Sequence, residues 1–185
     1  MDKNKVLRDT FNDKTVAVVG NADSLFPLNY GTDIDNHDVV VRINKGALIC
    51  FDKVTPEVAK SHGRKTDVWV MARQEIRQVL PKHQGKAGLV IATCPESAPS
   101  SNYIVCTDRV SELTEQFGSP PSTGVRLLDL LKDLNCKTVD VYGFDWKETD
   151  TFYERNRKRE IHDFAAERDY CLNFLVNKCK FKIYG

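Results

Sequence analysis

Short apolar runs rich in β-branched residues recur along the chain, with room for a helix or loop between them. They fall at 15–19, 39–43, 67–71, 89–93, 103–106, 139–142 and 181–184. Several are apolar throughout instead of alternating, as strands covered on both faces are. The pattern predicts an α/β domain built on a mostly parallel sheet of about seven strands. Helical periodicity is clearest over 124–134, where Val125, Leu127, Leu128, Leu130, Leu131 and Leu134 share a face. It recurs over 163–177, through Phe164, Tyr170, Leu172, Phe174, Leu175 and Val176. A third helix is expected from near Ala72 to just before Pro81, and a loop over 95–102 from its Pro and Ser content. Neither an internal repeat nor a dividing linker is present, so residues 15–185 read as one domain preceded by an extension over 1–14.

Composition narrows the partners more than the fold. A chain of 185 residues with 41% hydrophobic and 29% charged residues suits one ordinary core. Its net charge of +1 supplies no general attraction to polyanions, which argues against nucleic-acid binding by bulk charge. Residues 1–13 are charged and lack an apolar stretch, so they read as neither a secretory signal nor a membrane anchor, and a cytosolic, soluble protein is expected. The six cysteines are scattered without the paired spacing of zinc sites. In a reducing compartment they are expected as buried free thiols.

Three stretches carry candidate chemistry. The first strand runs into Gly20 and Asn21, where a parallel sheet opens onto its ligand crevice and a glycine lets backbone amides approach a phosphate. On these residues alone a purely structural turn is equally good, because the three-glycine dinucleotide fingerprint is missing. Asn44 closes the second strand with both a donor and an acceptor for a ribose or base, whereas Asp35 and Asp38 read as turn caps. In the second stretch, Ser122, Thr123 and Gly124 precede an amphipathic helix, with Ser122 or Thr123 as its cap and free amides that favour an anion. In the third, His162 and Glu167 are five residues apart, about 140° around a helix, so Glu167 is not expected to partner His162.

Taken together, these stretches resemble the sialyltransferases, glycosyltransferase family 29. Ala17-Val18-Val19-Gly20-Asn21, Ile34-Asp35-Asn36-His37-Asp38, Val41-Arg42-Ile43-Asn44 and Gly63-Arg64-Lys65-Thr66-Asp67 are similar to the long sialyl motif. Pro121-Ser122-Thr123-Gly124 with Val139 to Phe144 resembles the short motif, and His162 with Glu167 the very small one. The resemblance covers 16–175 and implies a three-layer, Rossmann-like single domain, variant GT-A-like. It implies that Gly20, Asn21, Asn44, Ser122, Thr123, Gly124 and Gly143 hold a cytidine-nucleotide donor, and that His162 is the general base, ahead of His37, His62 and His83. Thr151 stands where the family has a third-motif His, and Pro120 where it often has an aromatic residue. Tyr153 or an arginine within 155–159 is then the substitute contact. Cys136 matches the family's short-motif cysteine, but its expected partner position is Val16, so the family disulfide is absent. Animal members also carry an anchor, a stem and a longer domain; this chain resembles the core with trimmed acceptor loops, as in bacterial or viral relatives.

The expected function is an inverting, metal-independent transfer of a sialic-acid-like sugar from a CMP-sugar to the hydroxyl of a glycan or glycolipid. No cofactor or metal is expected, because Asp33 and Asp35 belong to a turn and no Asp-x-Asp follows a strand. Two alternatives stay open. One is a CMP-binding module with reduced catalysis, suggested by Thr151 and Pro120; the other is a transferase of this fold acting on a modified base in viral DNA.

Overall fold

The computed structural model describes all residues except 1–2, 53, 73–80, 84, 94–102, 105–106, 156–160 and 178–179. Seven parallel strands form one sheet: β1 (Thr15–Val19), β2 (Val39–Ile43), β3 (Val68–Met71), β4 (Leu89–Ala92), β5 (Tyr103–Ile104), β6 (Thr138–Tyr142) and β7 (Phe181–Tyr184). Their order is β5-β4-β3-β2-β1-β6-β7. The chain steps outward from β1 to β5, then returns to the other side of β1 for β6 and β7. That reversal opens a crevice between the carboxyl ends of β1 and β6, where sheets of this type bind their ligands.

Register explains the two packed faces. Val16 lies opposite both Val39 and Val139, and Val18 opposite Val41 and Val141, so valines align across the sheet. This face packs on α1 (Lys3–Phe11), α5 (Thr107–Phe117), α6 (Thr123–Lys132) and α7 (Phe164–Tyr170) through Leu7, Phe11, Leu113, Leu127, Leu128 and Tyr170. The alternate residues Ala17, Val19, Val40 and Tyr142 meet Leu25 and Ile34, from a 3-10 turn (Asp23–Leu28) and α2 (Gly31–Asp35). Trp69 and Met71 cluster with Ala47 of α3 (Lys45–Asp52). α4 (Pro56–His62) begins with Thr55, whose Oγ1 accepts from the Val58 amide, and with Pro at its first position. The layers are therefore helix, sheet, helix, as the uninterrupted apolar strands predict.

Several sequence expectations change in detail. Within the segment over 1–14, read as an extension, Lys3–Phe11 form α1 and place Leu7 and Phe11 in the core. The helix expected over 163–177 is α only through Tyr170 and continues as a π-helix over Cys171–Val176. Arg42, inside the apolar β2, is buried; its guanidinium donates to the Lys65 and His62 carbonyls at 2.9 and 2.8 Å and to Thr66 Oγ1 at 3.0 Å. Asp35 and Asp38 do not cap their own turn. Asp35 accepts the Arg64 and Lys65 amides, and Asp38 the Thr15 amide, so both tie separate segments together.

Cys50, Cys136 and Cys171 are free thiols. Burial pushes Cys136 up to about 11, and it shares the apolar cluster of Val16. The expected helix after Ala72, the loop over 95–102 and Cys94, Cys106 and Cys179 lie outside the described residues. Among the described residues, no helix is long and apolar enough to cross a membrane.

Candidate active site

The crevice is assembled from segments far apart in sequence. At the end of β1, the Gly20 amide donates to the Tyr142 carbonyl at 2.7 Å. A Cβ on Gly20 would lie 2.3 Å from the Gly143 carbonyl oxygen, and Gly143 itself has φ +68°. Both glycines therefore let the ends of β1 and β6 close on each other, a packing reason beside any ligand role. Asn21 Nδ2 donates to the Ile43 carbonyl at 3.2 Å, joining the ends of β1 and β2. Asn44 follows at φ +52°, and its Oδ1 accepts the Ala72 amide at 3.1 Å.

The opposite wall is the start of α6. Ser122 is its cap: Oγ accepts from the Val125 amide. Glu167, 1% exposed, reaches across from α7 and accepts the Ser122 amide at 2.5 Å and the Ser122 hydroxyl at 2.8 Å. Burial raises the Glu167 carboxyl above the usual range, and the two Ser122 bonds partly offset this. Ser122, expected to face the donor, has thus committed both donors within the protein. The amides of Thr123 and Gly124, in the first helical turn, have no intrahelical acceptor and remain for an anion.

His162 does not lie on the helix as its spacing to Glu167 suggested. It precedes α7, whose cap is Asp163, with Oδ1 accepting from the Ala166 amide at 2.9 Å. Its Nδ1 donates to the Pro120 carbonyl at 2.7 Å, and the Asp163 amide donates to Ser119 Oγ at 2.8 Å. Two bonds thus strap this segment to the residues ahead of α6. With Nδ1 protonated, a neutral ring carries its acceptor lone pair on Nε2. Glu167 bonds to Ser122, and the helical-angle argument does not apply to a residue that precedes the helix.

A loop over 144–154 closes the crevice. Asp145 accepts the Lys147 amide at 3.1 Å, the Thr149 amide at 2.9 Å and the Thr149 hydroxyl. Thr151 makes an antiparallel bridge with Ala22 and donates its hydroxyl to the Glu154 carbonyl, so it closes a turn where a third-motif His was expected. The Phe152 amide donates to the Asn21 carbonyl at 2.9 Å, and the Phe152 ring packs 4.5 Å from buried His62 and 5.1 Å from Tyr153.

One cleft is lined by Gly20, Asn21, Asn44, Ser122, Thr123, Gly124, Gly143, Tyr153 and His162, every site residue that the sequence singled out. The structure adds Asp145, Trp146, Lys147, Phe164 and Glu167 to its walls. Glu167 and Phe164 had a signal in the sequence, Glu167 through the very small motif and Phe164 through the apolar face of the 163–177 helix; Asp145, Trp146 and Lys147 follow only from where the 144–154 loop folds. Of the arginines within 155–159, Arg157 and Arg159 lie outside the described residues. Among the described residues, no three His, Cys, Asp or Glu side chains gather as a metal-ligand set.

Known proteins share this sequence pattern and this fold. A CMP-N-acetylneuraminate-beta-galactosamide-alpha-2,3-sialyltransferase 1 of Gallus gallus is 44% identical over 208 residues, covering 94% of this chain and 59% of its own length. The chain thus spans little more than half the length of the curated relatives it matches, 58% for the corresponding sialyltransferase 2 of Mus musculus. A mammalian sialyltransferase crystallised with Gal-beta-1-3GalNAc-ortho-nitrophenol shares the fold at a TM-score of 0.67 and 18% identity, over 99% of this chain and 78% of that one. A sialyltransferase of Campylobacter jejuni in complex with CMP-3FNeuAc shares it at 0.55 and 17%, over 92% and 79%. Residues 4–98 match the sequence profile of glycosyltransferase family 29 (sialyltransferase), and with the motifs in place around one cleft, the chain belongs to that family.

Proposed function

We propose that the chain transfers a sialic-acid-like sugar from a CMP-sugar to the hydroxyl of a glycan acceptor, with inversion at the anomeric carbon. The observation that carries this reading is the convergence of His162 and the α6 amides on the cleft where β1, β2 and β6 end. The Nδ1 bond to Pro120 leaves Nε2 as the basic atom of a neutral His162. The acceptor oxygen bonds to the anomeric carbon while its proton passes to Nε2. The bond from that carbon to the phosphate oxygen breaks, and its electron pair leaves with CMP. The Thr123 and Gly124 amides meet the charge that grows on the phosphate. Asn21 and Asn44, at the strand ends, are positioned for the nucleoside.

In this reading no divalent metal takes part. Asp35 is committed to the Arg64 and Lys65 amides, and Asp145 to Lys147 and Thr149. The test is to supply CMP-sialic acid and a galactoside, follow CMP release, and read the anomeric configuration of the product by NMR, with and without chelator. Inverted product at an unchanged rate in chelator is expected. A retained configuration, a strict divalent requirement, or preference for a uridine or guanosine donor would overturn the assignment.

A further inference from the structure

We propose that Lys147 is the cation that neutralises the anionic oxygens of the donor, an inference that rests on the donor reading above. A CMP-sugar with a carboxylated sugar brings a phosphodiester and a carboxylate, two full negative charges. The residues described around the cleft include three carboxylates, Asp145, Asp150 and Glu167, and one lysine or arginine, Lys147. Two of those carboxylates are held by the protein wall. Glu167 is bound by Ser122, and Asp145 by the Lys147 and Thr149 amides and the Thr149 hydroxyl. His162 must be neutral to accept a proton, so it cannot also serve as the standing positive charge. First-turn amides carry only partial charge and cannot balance two anions by themselves.

The backbone around Lys147 is shaped for this placement. Trp146 and Lys147 have φ +56° and +68°, two consecutive non-glycine residues in the left-handed region. Such a conformation persists only where the surroundings enforce it. The enforcing group is the Asp145 carboxylate, which takes the Lys147 amide on one oxygen and the Thr149 amide and hydroxyl on the other. The result seats a half-buried Lys147 in the cleft wall, where an ammonium is less screened than on open surface.

The test compares wild type, Lys147→Met and Lys147→Arg by titration calorimetry with cytidine, CMP and CMP-3FNeuAc. Met keeps an unbranched apolar stem out to the ε position and removes the charged ammonium. Lys147→Met should bind cytidine as wild type does and bind the charged ligands about ten- to a hundredfold more weakly, the size of a lost charge-assisted hydrogen bond, while Lys147→Arg retains most of the affinity. Weakening that begins with CMP assigns Lys147 to the phosphate; weakening seen only with CMP-3FNeuAc assigns it to the sugar carboxylate. Unchanged affinity for both charged ligands, or an equal loss for cytidine, overturns the inference while wild-type CMP binding keeps the donor reading intact. Wild type that binds none of the three overturns the donor reading and this inference with it.

Discussion

Asn44 shows how one side chain near a ligand also holds the protein together. Its amide donates to Val70, its carbonyl accepts from Trp69 Nε1 and its Oδ1 from the Ala72 amide, all at φ +52°. Alanine here would strand the Ala72 amide and strain the backbone, confusing binding with folding. Asn44→Asp keeps the Oδ1 acceptor and the tolerance for this φ but lacks the amide donors. It should bind CMP at least about tenfold more weakly, through the lost donor and the added negative charge beside an anionic ligand, with folding checked by its melt; unchanged affinity would remove Asn44 from the nucleotide site. His162→Ala should do the reverse, lowering turnover by about two to four powers of ten with CMP affinity unchanged. Near-normal turnover in that variant would exclude His162 as the base.

His62 makes a residue-scale prediction about pH. Burial lowers it to about 4, in a site between Ser61, the Ala22 carbonyl and the Phe26 and Phe152 rings. Its folded value lies below the unfolded one, so the neutral ring's contribution is complete above about pH 6.5 and is lost as pH falls toward 4, about 3 kcal/mol in all. His37 has the opposite sign: its hydrogen bond to Asp140 raises it, so its contribution is complete below about pH 6.5 and fades as pH rises through the raised value. Denaturant melts between pH 7 and 5 should therefore show a steeper loss for wild type than for His62→Gln. Parallel slopes would refute the assignment.

At the scale of the element, the start of α6 depends on a partner outside it. Ser122 caps its own helix and is held by Glu167 from α7, so the anion-facing turn is rigid only while α7 is docked. A second tie does the same work further along, because Asp129 of α6 is bound by Arg109 of α5, Lys132 and the Tyr170 hydroxyl. Ser122→Ala removes the cap and one bond to a buried carboxylate, and should cost about 2 kcal/mol in urea unfolding. Ser122→Thr keeps the hydroxyl and should recover most of that stability. A loss in Ser122→Ala below about 0.5 kcal/mol would show that the Glu167 contact contributes little.

At the scale of the whole molecule, the cleft joins residues from 20 to 167, so a ligand that fills it ties together segments that separate on unfolding. CMP at a hundred times its dissociation constant should stabilise the fold by about 2.7 kcal/mol, read as a rise in melting temperature. UMP and GMP at the same concentration should raise it less. An equal shift for UMP would show that the site does not read the cytosine base.

The positions of the strands along the chain, their burial on both faces and the α6 start were legible because each depends on local pattern. Runs such as Val16 to Val19 and Val39 to Val41 need no partner to reveal a buried strand, and Ser122 ahead of Val125, Leu127 and Leu128 marks a helix start by itself. The stretches at Gly20, Asn44 and Ser122 could be named for the same reason, whereas His162 stood out only through its resemblance to the family's very small motif. What tertiary structure decided was every contact between segments. It turned α1 into part of the core, placed Glu167 on Ser122 and tied His162 to Pro120. It also brought Asp145 and Lys147 into the cleft wall. Those outcomes depend on hydrogen bonds across 42 to 45 residues of chain, or on how a loop closes over a strand end, and the spacing of residues along the chain carries no record of either.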